Sequence, residues 1–165
     1  MLIVGTFILG LLAGGMLHGQ AVAEVSAAPV TQQPQPIASD SIAETAAPSD
    51  HIAESDISVL KDEVVIKVPN AVWARFTPTG SMVPVFNESS NAIEVVPNDA
   101  SEINVGDIIS YQSDWMDTPV IHRVVETGDD DQGWFAIVKG DNNSTSDPGK
   151  VRFEQVRRLV VAIIY

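Results

Sequence analysis

Four side chains between residues 81 and 147 could together perform nucleophilic catalysis. One of them, Ser81, lies in the segment TPTGSMVP, between a glycine and a methionine and close to two prolines. A serine in such a segment is usually part of a turn, but it can also be a nucleophile held on an exposed bend. A serine hydroxyl needs a base that takes its proton, and a third group then has to orient that base.

The candidate base is His122, the only histidine in the last hundred residues. It lies in VIHRVV, where strand alternation puts it on the same face as Val120 and Val124. An imidazole on an apolar face is commonly a core residue bonded to the backbone, and it can also be a general base near neutral pH. Asp141 and Asp147, in the polar segment after the next apolar run, are the candidate orienting acids.

The elements that must position these residues are predicted to be β-strands. Short runs rich in β-branched and aromatic residues alternate with turn sequences, and no long helical period is present. The predicted strands are 64–68, 71–76, 92–96, 108–112, 120–126, 134–139 and 159–164. A turn is predicted at residues 127–131. We therefore expect a mainly β, antiparallel domain over residues 61–165, following a single N-terminal hydrophobic helix.

The N-terminus has the composition of a membrane segment. Residues 1–17 carry no charge, and the apolar character extends to about residue 22, close to the roughly 20 residues that a spanning helix needs. We interpret residues 1–22 as a membrane anchor or uncleaved signal-anchor. A cleaved signal peptide is the alternative, because Ala21, Val22 and Ala23 form the small-x-small pattern of a cleavage site. No Lys or Arg precedes the apolar run, which weakens both interpretations.

The next segment and the overall charge exclude several function classes. Residues 23–60 are rich in Ala, Pro, Ser and Gln, and their charged residues are all acidic, which predicts a flexible acidic linker. The chain has 9 Lys and Arg against 22 Asp and Glu, a formal charge of −13, so nucleic acid is a poor partner. The chain has no cysteine, which excludes thiol catalysis, disulfides and cysteine-based zinc sites.

The segment from Asp141 to Asp147 partly matches a calcium-binding loop. Oxygen-bearing side chains alternate between Asp141 and Asp147 as they do in a calcium-binding loop. The glycine expected at the sixth position is Ser146, and the closing glutamate is replaced by Arg152, so the pattern fails. We expect neither a metal nor an organic cofactor.

Four motifs in a fixed order carry a resemblance to a known family. They are TGSMVP, VGDIISY at residues 105–111, VIHRVV at 120–125 and VKGDNN at 138–143. In this order, and after an apolar segment, they resemble type I signal peptidases. The resemblance is specifically to the endoplasmic-reticulum and archaeal branch, in which a histidine replaces the lysine of the typical bacterial enzymes. It covers about residues 76–147.

The resemblance implies a catalytic role for each candidate residue. Ser81 corresponds to the nucleophile and His122 to the base that activates it. Asp147 corresponds to the aspartate that orients the histidine, and Asp141 to a second required acid. The segment 61–165 would then be a catalytic serine peptidase domain of the signal-peptidase type.

The residues around Ser81 are implied to serve the transition state and the substrate. Thr79 matches a family serine whose hydroxyl binds the oxyanion together with the N–H of Ser81, and threonine keeps that hydroxyl. Gly80 is expected to let a bound peptide approach the backbone closely. Met82 is expected to line the substrate cleft or a membrane-facing surface. The chain departs from many relatives at Val83, where they carry glutamate.

The function implied by the resemblance is removal of signal peptides from exported preproteins. The cut would follow small residues and would pass through an acyl-enzyme. The chain would be single-pass, with lipid contact through residues 1–22, the catalytic domain on the extracytoplasmic side, and contacts with the secretion machinery as an option. Two alternatives stay open: a non-catalytic, membrane-tethered β domain that binds partners, and a peptidase dedicated to one exported substrate.

Overall fold

The computed structural model describes residues 45–165. The predicted anchor, residues 1–22, lies outside the described residues, as does the larger part of the predicted linker, residues 23–60. Within the described residues, no helix has both the length and the apolar character required to span a bilayer.

Strands dominate the described part of the chain. The strands are β1 (Ile57–Val59), β2 (Val64–Ile66), β3 (Val72–Arg75), β4 (Asn91–Val95), β5 (Ile108–Tyr111), β6 (Val120–Asp130), β7 (Gly133–Lys139), β8 (Val151–Arg152) and β9 (Val156–Ile164). Short 3₁₀ helices lie at Glu54–Asp56, Ala100–Glu102 and Phe153–Gln155. The expectation of a mainly β domain is confirmed for these residues, and each of the predicted strands has a counterpart.

Seven of these strands form one antiparallel sheet in the order β3-β4-β9-β5-β6-β7-β8. β1 and β2 form a separate two-stranded antiparallel sheet. The C-terminal strand β9 lies in the interior of the larger sheet, because it pairs with β4 on one side and with β5 on the other. Strand β9 therefore joins strands β3 and β4 to strands β5, β6, β7 and β8.

Alternation along the central strands divides the buried side chains between two clusters. In β5, Ile109 and Tyr111 belong to one cluster, and Ile108 belongs to the other. The first cluster contains Ile103, Ile109, Tyr111, Val120, Val124, Ala136, Val138, Val151 and Leu159. The second contains Met82, Phe86, Ala92, Ile108 and Val160. A buried aliphatic side chain contributes about 1.5–3 kcal/mol relative to exposure, so these clusters fix the strand register on which the site depends.

The hairpin between β6 and β7 differs from the prediction. Residues 127–130, predicted as a turn, continue strand β6, and Asp130 pairs with Gly133 across a two-residue turn. Polar side chains do not end the strand here because Asp130 forms ion pairs with Lys150 (2.7 Å) and Arg152 (2.8 Å). These contacts hold the end of the hairpin against the segment that contains β8.

Ordered contacts also begin earlier than residue 61. Strand β1 lies within the predicted linker, and the Ser49 backbone N–H donates a hydrogen bond to Asp107 Oδ1 at 2.8 Å. His51 Nε2 lies 3.0 Å from the same oxygen, outside hydrogen-bond geometry. The described part of the predicted linker therefore contacts the β domain at least from Ser49 onward.

Candidate active site

Ser81 begins a tight turn that follows β3. The Val83 N–H donates to Gly80 O at 3.3 Å and the Phe86 N–H donates to Met82 O at 3.1 Å, and these two bonds close overlapping turns between residues 80 and 86. Ser81 is half-buried at the start of this turn, whereas Met82 is 2% exposed and packs in the second core cluster. The methionine thus anchors the turn, and the serine stays within reach of solvent.

Two glycines are required at this site for different reasons. Gly80 has φ = +69°, in the left-handed region that favours glycine, and nothing lies within 4 Å of the position that a Cβ would occupy. The backbone conformation therefore explains why residue 80 is a glycine, because a side chain there would not clash with any neighbouring atom. A Cβ on Gly140 would lie 2.7 Å from the carbonyl oxygen of Ser81, so Gly140 is required by the close approach of the two segments.

His122 is held in the interior of the sheet on strand β6, opposite Ile109 of β5. Its side chain is buried, and its Nδ1 is hydrogen-bonded to Asp147 Oδ2. Because an ionised carboxylate can only accept, Nδ1 carries the proton and Nε2 is left as the acceptor nitrogen.

Tyr111 is a member of the site that the sequence analysis missed. Its hydroxyl donates to Asp147 Oδ2 at 2.8 Å, and its side chain is 2% exposed. Burial raises the pKa of Tyr111 far above its usual range, and the hydrogen bond and charge of Asp147 raise it further. The phenol therefore stays protonated and continues to donate. The available signal was a tyrosine ending an apolar strand, since a buried hydroxyl needs a partner.

Asp141 hydrogen-bonds to Arg123 and not to His122. Arg123 Nε and Nη2 donate to the two carboxylate oxygens of Asp141, both at 2.7 Å, and Arg123 Nη1 donates to Gly106 O at 2.7 Å. This bidentate geometry between two largely buried side chains is the strong form of an ion pair. Asp147 is thus the acid that contacts the histidine, and Asp141 contacts Arg123 instead.

The loop of residues 140–147 connects the two halves of the site. Near its start, the Asn142 N–H donates to Ser81 O at 2.8 Å. At its end, Asp147 places its carboxylate on His122. Asn142 had no predicted role, although it lies inside the VKGDNN motif. One loop therefore contacts the serine turn and the histidine side chain.

The Ser81 hydroxyl contacts Thr79 in this structure. Ser81 Oγ lies 3.2 Å from Thr79 Oγ1, and the Ser81 backbone nitrogen lies 3.5 Å from the same oxygen. No hydrogen bond joins Ser81 Oγ to His122 within the part of the chain that the structure describes. Such bonds are often long in enzymes without substrate and tighten when substrate binds.

A shallow pocket of about 20 Å³ adjoins Ser81. Its walls include Phe76 and Phe86, whose rings stack with centroids 3.9 Å apart, and Ile121, which precedes the histidine. A volume of this size admits about one water-sized group. The pocket therefore fits a small side chain next to the serine.

Comparison with known proteins identifies relatives of one kind. The chain is 35% identical over 79 residues to signal peptidase I W of Bacillus subtilis. The aligned region covers 48% of this chain and 41% of that protein. The chain is 30% identical over 69 residues to the signal peptidase complex catalytic subunit SEC11 of Yarrowia lipolytica, covering 42% and 39%. The resemblance to type I signal peptidases is confirmed.

A second SEC11 signal peptidase subunit, from Candida dubliniensis, is 35% identical over 69 residues, covering 42% of this chain and 40% of that protein. The chain spans about two fifths of the length of the curated signal peptidases it matches. Neither a family model nor a solved structure matches the chain.

Proposed function

We propose that the chain is a serine endopeptidase that removes signal peptides from exported preproteins. Two kinds of support stand behind the proposal. The relatives are named as signal peptidases. The observation that carries the proposal is the loop 140–147, which touches the Ser81 turn at one end and supplies Asp147 to His122 at the other.

In the proposed reaction, Ser81 Oγ attacks the scissile carbonyl carbon and its proton passes to His122 Nε2. The hydroxyl of Thr79 and the N–H of Ser81 stabilise the negative charge that develops on the carbonyl oxygen. The imidazolium, held by Asp147, returns the proton to the leaving amine as the C–N bond breaks. Water then attacks the acyl-enzyme and gives its proton to His122, which passes it to Ser81 Oγ as the ester C–O bond breaks, so that the free serine is restored.

This reaction requires one rearrangement of the free chain. The Ser81 hydroxyl has to leave its contact with Thr79 Oγ1 and approach His122 Nε2 when substrate binds. Thr79 is then freed to donate to the carbonyl oxygen.

The substrate is proposed to bind in an extended conformation with a small residue next to the scissile bond. Strand β3 lies at the edge of the sheet and leads directly into the Ser81 turn, so its outer side can pair with an added peptide strand. The 20 Å³ pocket beside Ser81 would then receive the small side chain that precedes the cut.

The membrane part of the proposal rests on the sequence of residues 1–22. A single-pass anchor would hold the catalytic domain on the extracytoplasmic side, where the signal peptides of translocated preproteins end. Lipid contact through the anchor and contact with the secretion machinery belong to the same proposal.

The test is cleavage of a purified preprotein with alanines at the first and third positions before the cut. We expect Ser81→Ala and His122→Ala each to reduce kcat/KM by at least about 10³-fold with little change in the melting temperature. Ser55→Ala, an exposed serine distant in sequence from the motifs, is the matched control and should keep wild-type activity. Undiminished cleavage by His122→Ala would remove the mechanism.

A non-catalytic β domain that binds partners is the second candidate function. The observation that favours it is that Ser81 Oγ bonds to Thr79 and not to His122 within the described residues. The same assay separates the candidates, because a binding domain would leave the preprotein intact even as wild type. A panel of unrelated preproteins would distinguish a general peptidase from one dedicated to a single substrate.

A further inference from the structure

The shallow pocket beside Ser81 adjoins a larger cleft with charged walls. This second cleft has a volume of about 410 Å³ and shares Phe76, Thr77 and Ile121 with the shallow pocket. Its charged side chains are Arg75, Glu94, Arg157 and Arg158. We call it the arginine cleft. A peptide bound at Ser81 would pass next to it.

Positive charge is concentrated in the arginine cleft although the chain as a whole is acidic. Only 9 of its residues are Lys or Arg, and three of these line this one cleft. Elsewhere the arginines of the domain are paired, as Arg123 is with Asp141 and Arg152 is with Asp130. Three guanidinium groups facing one carboxylate leave the cleft with an excess of positive charge.

Glu94 engages only one of the three arginines. It is 5% exposed on β4, and Arg158 Nε lies 3.8 Å from its Oε2. Burial raises the pKa of Glu94, while Arg158 acts in the opposite direction. Arg75 and Arg157 are exposed, and neither has an ion pair within residues 45–165. These two guanidinium groups are therefore open to an anionic ligand.

We propose that the arginine cleft binds an acidic side chain of the substrate, located within about six residues of the scissile bond. This inference rests on the proposed function, because that function places a peptide at Ser81. Arg75 precedes Ser81 by six residues, so the two residues are separated by at most the length of six extended residues, at about 3.3 Å per residue. An extended substrate has the same rise per residue, so six substrate residues are enough to cover this separation. A carboxylate at that distance would receive charge-assisted hydrogen bonds from Arg75 and Arg157.

The test compares peptides that differ only in one aspartate. Each peptide has small residues at the cleavage site and carries Asp or Asn at one of six positions on either side of the cut. At low salt, we expect kcat/KM for Asp to exceed that for Asn by about threefold to tenfold at one or two positions on one side. The ratio should fall toward one at high salt.

Substitutions in the full chain test whether the preference for Asp over Asn arises from the arginine cleft. Arg75→Gln and Arg157→Gln should each lower the Asp/Asn ratio, and the double variant should abolish it. Both side chains are exposed, so the fold should be retained. Lys67→Gln removes one exposed positive charge outside the cleft and is the matched control, which should keep the ratio. Glu94→Gln should increase the ratio, because it removes the competing carboxylate.

Binding of the same peptides to Ser81→Ala, followed by fluorescence anisotropy, separates this inference from the proposed function. Tighter binding of Asp peptides than of Asn peptides, lost on substitution of Arg157, supports anion binding by the arginine cleft. If wild type cleaves none of these peptides, the proposed peptidase function is wrong and the binding site is retained. Equal binding of Asp and Asn peptides at every position overturns the cleft, whether or not wild type cleaves them. Cleavage without any preference for Asp would support the proposed peptidase function and contradict the proposed anion-binding role of the arginine cleft.

Discussion

Two consecutive residues of β6, His122 and Arg123, hold two carboxylates from one loop in different ways. His122 contacts Asp147 through a single ring nitrogen, whereas Arg123 grips both oxygens of Asp141. The two side chains point to opposite faces of the strand because successive residues alternate. An imidazole can gain and lose a proton near neutral pH, and a guanidinium stays charged. The first pair is therefore suited to proton transfer and the second to holding the loop in place.

The contrast shows that two aspartates six residues apart can have separate tasks within one site. Asp147 touches the group that would move the proton, while Asp141 fixes the loop that carries Asp147 and contacts Ser81. Changes in the first pair should affect the reaction, and changes in the second should affect stability.

The largest effect on activity is expected from Asp147→Asn. The variant removes the charge that fixes the His122 tautomer and stabilises its protonated form, so kcat/KM should fall by about 10³–10⁴-fold. The melting temperature should change little, because asparagine keeps the size of the side chain. Asp107→Asn is the matched control: this carboxylate is buried, but it bonds to Ser49 and Asn104, so activity per folded molecule should remain. Equal and small losses would mean that Asp147 is not the orienting acid.

Arg123→Gln should chiefly reduce stability. The substitution leaves Asp141 without its bidentate partner in a largely buried position, so the free energy of unfolding should fall by about 3–5 kcal/mol. Urea denaturation followed by tryptophan fluorescence measures this change. Activity per folded molecule should fall less than in Asp147→Asn. A variant of normal stability that has lost 10³-fold in activity would place Arg123 in the chemistry and contradict the division of tasks.

A smaller effect is expected from Tyr111→Phe. Asp147 would lose one of its two donors and keep His122, so kcat should fall about tenfold and the free energy of unfolding by about 1 kcal/mol. KM should stay the same, because the tyrosine positions the acid and does not touch substrate. Steady-state kinetics with one preprotein checks the split. An increase in KM at constant kcat would assign Tyr111 to substrate binding instead.

Glu94 is a further buried acid, and its only ion-pair partner within the described residues, Arg158, is 3.8 Å away. Burial raises its pKa above the unfolded value of 4.5, so the native state binds more protons than the unfolded state just above that pH. Wild-type stability should therefore fall as pH rises through this window, and Glu94→Gln should remove that fall. At pH 7 the variant should match or slightly exceed wild type in thermal melts, and at pH 4 the two should agree. If the variant is less stable than wild type at pH 7 but not at pH 4, the attraction between Glu94 and Arg158 outweighs the cost of burying the Glu94 carboxylate.

Local patterns in the sequence predicted the strands and the main residues of the site. Alternation and β-branched composition are local properties, so the predicted strands have counterparts in the structure and His122 occupies the middle of β6. The motif around Ser81 likewise indicated a tight turn, and of the two candidate acids the structure places Asp147 in contact with His122.

Contacts between distant segments were not predictable in the same way. Tyr111 and Asp147 are 36 positions apart, and Asn142 meets Ser81 only because the loop after β7 folds back toward the serine turn. The early start of the domain was missed because polar residues such as Ser49 are ordered by a buried carboxylate on another segment. Composition alone carries no information about such partners.

The most direct test of the central claim is the rate at which an organophosphorus serine probe labels residue 81. If His122 activates Ser81, wild type should be labelled, Ser81→Ala should not, and His122→Ala should react at least about 10³-fold more slowly than wild type. Peptide mapping by mass spectrometry identifies the labelled residue. Labelling of His122→Ala at the wild-type rate, or failure of the probe to label wild type, would contradict the account.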